Sequence, residues 1–153
     1  MCAPFTRTAC FYRDRPSRIA SILTNAGGIS VCGHTLTDTN VNDAHSAIEA
    51  LCVSPYGNQR LQLVRELTAA ALNMAAGSSA TFSQFAYCNG VCTNLSASSS
   101  AIASCITQAD NFNSSGECKT ACWTGSDYVD SAACDSATYS SCTILSPSSC
   151  AVQ

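Results

Sequence analysis

The sequence predicts a mainly α, small disulfide-rich helical domain with a short hairpin and an irregular Cys-rich C-terminal segment. Three observations predict it. Several segments carry apolar residues at the three-and-four spacing of a buried helical stripe. Twelve cysteines, an even number, run from one end of the chain to the other. Charged residues make up only 11% of the chain against 46% hydrophobic ones, so Ser, Thr, Asn and Gln must cover the exterior. With 153 residues the chain is long enough for one core and short for two, and the expected organisation is a single domain over 1–153. Within it, residues 1–76 form a helical half and residues 77–153 a Cys/Ser-rich half.

The elements follow in order. Pro16 suits the first position of a helix running to about Asn25, with Ile19, Ile22 and Leu23 on one edge and Gly27-Gly28 ending it. Ile29 to Leu36 alternates around Gly33 and predicts a small hairpin. Asn42 is placed to cap a helix whose Ala44, Ala47, Ile48, Leu51 and Cys52 form a stripe, with His45 and Glu49 on the other face. Ser54 to Gly57 reads as a turn. Asn58 then caps the longest helix, 59–76, closed by Gly77; its Ala69-Ala70-Ala71-Leu72 run is apolar almost all round, so this helix belongs in the middle of the domain. Helices are expected over Thr81–Cys92, with Phe82, Phe85 and Cys88 inward, and over Ser98–Phe112, with Ile102, Cys105, Ile106 and Ala109 aligned. Trp123 to Gln153 should be short turns tied down by cysteines.

The first half resembles a group of secreted bacterial domains that begin with an aromatic-Trp-Lys-x-His-Pro motif, continue through Gly-x-Thr-Leu and centre on a Gln-Leu-x-x-x-Leu-x-Ala-x-x-Leu-Asn helix. The counterparts are Phe11-Tyr12-Arg13-Asp14-Arg15-Pro16, then Gly33-His34-Thr35-Leu36, then the helix from Gln62 to Asn73. Tyr12 and Arg15 stand where that group has its Trp and His. The likeness covers about residues 10–76 and implies secretion and a shared helical core; that group has no established biochemical activity to carry over.

The cysteines are Cys2, Cys10, Cys32, Cys52, Cys88, Cys92, Cys105, Cys118, Cys122, Cys134, Cys142 and Cys150. Without a C-x-x-C, and with only His34 and His45, they do not read as metal ligands; the expectation is disulfides throughout and an oxidising, extracellular location. The Met1-Cys2-Ala3-Pro4 start has no signal-peptide pattern, so secretion implies a leader already removed. Cys88-x-x-x-Cys92 and Cys118-x-x-x-Cys122 each place two thiols on one helix face. Facing antiparallel segments would make them two rungs, Cys88–Cys122 and Cys92–Cys118; bridges inside each pair are the other arrangement, and sequence alone does not decide connectivity.

No catalytic motif is present: no nucleophile elbow, no His-Glu-x-x-His, no phosphate loop. His45 with Glu49 one turn on reads as an exposed neighbour pair, and Asp127, Asp130 and Asp135 as a solvated acidic region. Asn94-Leu95-Ser96 and Asn113-Ser114-Ser115 match the glycosylation pattern, as chance allows in so Ser- and Asn-rich a chain. No cofactor, nucleic acid or membrane span is expected: no run reaches the ~18–20 apolar residues of a span, and the net charge is −3.

Arg7, Arg13, Arg15 and Arg18, interleaved with Phe11 and Tyr12, read either as arginines that cap and pair locally or as an interface strip for an acidic surface, with the three aspartates as its counterpart. Residues 1–66 hold six basic and five acidic groups, and residues 67–153 one basic and five acidic, which gives +1 and −4. The function expected from this is a non-enzymatic secreted structural protein, a self-assembling subunit of an extracellular fibre, appendage or surface layer. The alternative is a secreted helical binding module for a small apolar ligand, in a cavity lined by the 61–76 helix, Phe82, Phe85 and Ile102.

Overall fold

The computed structural model describes residues 6–13, 15–40, 43–52, 58–77, 82–115, 122–123 and 128–129, with only the backbone described at 10, 82, 84, 114, 115, 122, 123, 128 and 129. The chain is mainly α and disulfide-braced, as expected. Its helices are α1 (Ala9–Arg13), α2 (Pro16–Ala26), α3 (Ala47–Leu51), α4 (Gln59–Ala75), α5 (Ala86–Thr93), which follows a 3-10 turn at Phe82–Phe85, and α6 (Ser99–Ser115). Strands β1 (Ile29–Val31) and β2 (His34–Leu36) pair antiparallel, as do β3 (Cys122–Trp123) and β4 (Tyr128–Val129).

The central helix is α4. The Asn58 side chain accepts from the Arg60 and Leu61 amides, satisfying donors that a helix start leaves open. Leu67 and Leu72 are 0% exposed, and burial runs without a break from Glu66 to Asn73. So α4 is covered on every side, most extensively by α6 and then by α3, β1, α2 and α1. In α6 the buried Ile102, Cys105, Ala109 and Asn113 repeat at intervals of three and four.

Helix α2 begins on Pro16 and stops where Gly27 turns left-handed (φ 74°) and Gly28 donates back to the Leu23 carbonyl. The following hairpin turns through Cys32 (φ 52°) and Gly33 (φ 81°), both left-handed as a tight two-residue turn of this hand requires. Glycine adopts that conformation freely; Cys32 does not, and two contacts hold it there. Its amide donates to Asn89 Oδ1 at 2.6 Å, and its sulfur is bonded to Cys92.

Four expectations need correction. Residues 9–13, read as part of a basic strip, form α1. The helix expected from Asn42 starts only at Ala47, capped by the Ser46 hydroxyl, because 37–38 and 45–47 pair backbone to backbone (Thr37 N to His45 O, Ala47 N to Asp38 O) and so hold His45 outside the helix. The 81–92 helix opens as a 3-10 turn and becomes α-helical only from Ala86. The rungs Cys88–Cys122 and Cys92–Cys118 are not formed: Cys88 is bonded to Cys105 and Cys92 to Cys32. The reason is direction. Cys88 and Cys92 do share a face of α5, but that face meets α6 at one turn and the hairpin tip at the next. Cys52 is disulfide-bonded too, and no free thiol occurs among the described cysteines. Cys2, Cys118, Cys134, Cys142 and Cys150, and the pairing of Cys10 and Cys122, lie outside the described residues, as do Asn42, Ser54 to Gly57 and all of 130–153.

Candidate functional site

Polar chemistry in this chain is concentrated inside it. The Asn73 side chain, fully buried on α4, makes four hydrogen bonds. Its Oδ1 accepts from the Arg7 amide at 2.7 Å and from the Tyr12 hydroxyl at 2.6 Å; its Nδ2 donates to the Arg7 carbonyl at 2.9 Å and to Asn113 Oδ1 at 3.0 Å. A side-chain amide thus pairs with the Arg7 backbone much as a neighbouring strand would, using both of its polar groups. Asn113 Nδ2 in turn donates to the Glu66 carbonyl at 3.0 Å and to Glu66 Oε2 at 3.2 Å. Glu66 Oε1 accepts from Arg65 at 3.1 Å. The chain of contacts joins the N-terminal segment, α1, α4 and α6.

Burial pushes the Glu66 carboxyl above the ordinary carboxylate range, and the like charge of Asp110 adds to the effect; Arg65 and the Asn113 amide oppose it. A carboxyl with a raised value in the folded chain holds its proton there to higher pH than in the unfolded chain. Its contribution is favourable at low pH and is lost as pH rises from the ordinary carboxylate range through the folded value. Glu66→Gln should therefore gain on the parent as pH rises from about 4.5 to 7, read as a widening gap in urea midpoints. Parallel midpoint curves would remove Glu66 as the source of the slope.

The arginines are drawn inward. Arg7 and Arg13 are buried, Arg15 is half-buried and Arg18 is exposed. Arg7 and Arg15 carry their guanidinium carbons 5.0 and 4.2 Å from the centre of the Phe11 ring, and Arg15 donates to the Phe11 carbonyl at 3.0 Å. Of the four residues expected in an interface strip, Arg18 and part of Arg15 remain for a partner to meet. Asp127, Asp130 and Asp135 lie outside the described residues. The exposed His45 and Glu49 pair is not formed: His45 Nδ1 is 3.1 Å from the Thr35 carbonyl, whereas Glu49 is 0% exposed on α3 and engaged within the fold. The helix packed on α3 from the N-terminal side is α1, which ends at the buried Arg13.

Arg60 holds the end of α5. Its guanidinium donates to the carbonyls of Val91, Cys92 and Asn94 at 2.9, 3.3 and 2.9 Å, acceptors that a helix end leaves open. Sequence reasoning gives Asn73 only the last place in a helix motif and Asn113 only a chance glycosylation match, and it assigns Arg60 nothing. A polar Asn73 inside the Ala71-Leu72-Asn73-Met74 run is the one local signal.

The outer surface offers a groove of about 420 Å³ between the end of α5 and the start of α6, lined by Tyr87, Val91, Asn94, Ala97, Ser98 and Ala101 among others. Tyr87 is 70% and Leu95 87% exposed, large apolar side chains facing solvent beside it. Of the residues expected to line a cavity with the 61–76 helix, Phe85 and Ile102 belong to the packed core, with Phe85 edge-on to Phe112 at 5.4 Å, and the Phe82 side chain lies outside the described residues. Among the described residues no group of three or more His, Cys, Asp or Glu side chains is placed to hold a metal ion, and no helix is long and apolar enough to cross a membrane. No protein-family model, curated protein or solved structure matches the chain.

Proposed function

We propose that this chain is a non-enzymatic, secreted structural protein that self-associates through the α5–α6 face into a larger extracellular assembly. The observation that carries the reading is the exposure of Tyr87 and Leu95 beside the groove. Aromatic side chains that stay in solvent on a monomer are typical anchors of interfaces. A second copy is the occupant proposed, for a reason of charge. No lining residue of the groove is charged, and the whole chain carries only −3, so little repulsion keeps two copies apart. Secretion is supported by the disulfides and by the resemblance of residues 10–76 to secreted bacterial domains.

A second reading, a binding module for a small apolar ligand, draws on the groove volume, which falls in the range of ligand sites. Light scattering on the oxidised full chain separates the two. Self-association predicts a mass that rises with concentration and falls back toward the monomer when Tyr87→Ser and Leu95→Ser are combined. A strict monomer at every concentration, with no fibres in micrographs of native material, would remove assembly and leave the ligand reading.

A further inference from the structure

Helix α5 carries two disulfide sulfurs one turn apart, and each is tied to a different element: Cys92 to the β1–β2 hairpin tip and Cys88 to α6. The two bonds differ in access. Cys32 and Cys92 are 7% and 6% exposed, whereas Cys88 and Cys105 are 1% and 0% exposed, and Gly33 and Thr93 beside the first bond face solvent. The first bond also restrains a strained backbone, since Cys32 sits at φ 52° without being glycine. Cys92 Sγ lies 3.1 Å from the Asn89 carbonyl oxygen, so this sulfur leans back over the turn that begins at Cys88. Between the two stands Gly90. It has an ordinary backbone conformation, and a Cβ there would meet nothing within 4 Å, so neither conformation nor packing demands a glycine. Its effect is to leave a pliable turn between the two sulfurs.

We propose that α5 is a two-step thiol relay, operated by an extracellular dithiol. In the first step the dithiol reduces Cys32–Cys92: two electrons and two protons pass to the two cysteine sulfurs, and the dithiol leaves as its own disulfide. The hairpin tip then keeps the hydrogen bond from the Cys32 amide to Asn89 and its packing on the core, but no covalent tie to α5. The second step is redox-neutral. The Cys92 thiol loses its proton and attacks Cys88 Sγ; the Cys88–Cys92 bond forms, the Cys88–Cys105 bond breaks, and Cys105 leaves as a thiolate that takes up a proton. The covalent tie from α5 to the hairpin opens first and the tie to α6 second.

The test is stepwise reduction of the oxidised full chain with limiting dithiothreitol, alkylation at intervals and peptide mass spectrometry. Among Cys32, Cys88, Cys92 and Cys105, labels should appear first on Cys32 and Cys92. With no more reductant added, that label pair should give way to one on Cys32 and Cys105, accompanied by a Cys88–Cys92 disulfide. Gly90→Ala should leave the first step unchanged and slow the second by about fivefold, by stiffening the turn. Opening of Cys88–Cys105 before Cys32–Cys92 would overturn the order, and a Cys32/Cys92 label pair that never migrates would overturn the relay. Equal second-step rates in the parent and Gly90→Ala would overturn the part assigned to that turn.

Discussion

Asn73→Ala should lower the stability of the fold by about 3–5 kcal/mol, measured by urea unfolding of the oxidised chain. The loss is expected to exceed that of an ordinary buried hydrogen bond because four partners are left behind together. The Arg7 amide and carbonyl, the Tyr12 hydroxyl and Asn113 Oδ1 all point at the vacated position, and each buried polar group so orphaned costs about 1–3 kcal/mol before relaxation. Tyr12→Phe supplies the scale, since it removes one of the four and should cost about 1–2 kcal/mol. If the two substitutions cost the same, the amide is not the hub of the network.

Replacing both Cys32 and Cys92 by serine should cost about 3–4 kcal/mol. The bond spans 60 residues, and closing a loop of that length restrains the unfolded chain by roughly 4 kcal/mol in the loop-entropy account. The Cys88–Cys105 bond overlaps the same stretch and already restricts part of it, so the observed effect should be somewhat smaller. It should still exceed the effect of removing Cys88–Cys105, whose 17-residue span is worth about 3 kcal/mol on the same basis. The reverse ranking in urea unfolding would show that native packing around α5, and not the unfolded chain, sets the contribution of these bonds.

What can be read from the sequence is whatever depends on near neighbours. Asn58 and Gly77 bracket α4 by local chemistry, Pro16 and Gly27 do the same for α2, and the alternation around Gly33 announces a hairpin. The start of α3 is misplaced from sequence because Asn42 and Ser46 are both good caps, and the choice between them is made by a backbone pairing with residues 37–38. Cysteine partners are out of reach for a similar reason: the i,i+4 spacing of Cys88 and Cys92 says that they share a face, and says nothing of what lies opposite. The candidate site is the least legible part. Arg7 and Arg13 look like surface groups by type, and only three-dimensional packing, in which Phe11 collects the guanidinium groups of Arg7 and Arg15, draws their region inward. The exposure of Tyr87 and Leu95 has no marker in the sequence at all.

The Asn73 contact also bears on how the chain comes to be made. The side chain that receives the Arg7 backbone follows it in synthesis by 66 residues, and Asn113, which completes that side chain's bonding, by a further 40. At about 5–20 residues per second the N-terminal segment waits for several seconds with its amide and carbonyl open to whatever else can pair with them. During that interval α2 and the hairpin can close on local contacts alone, whereas Arg7 and Tyr12 cannot. A segment made well before the side chain that receives it is therefore among the last to dock, and a nascent chain stalled before Asn73 should present it to proteases, chaperones or the exporting machinery as an extended, unclaimed strand.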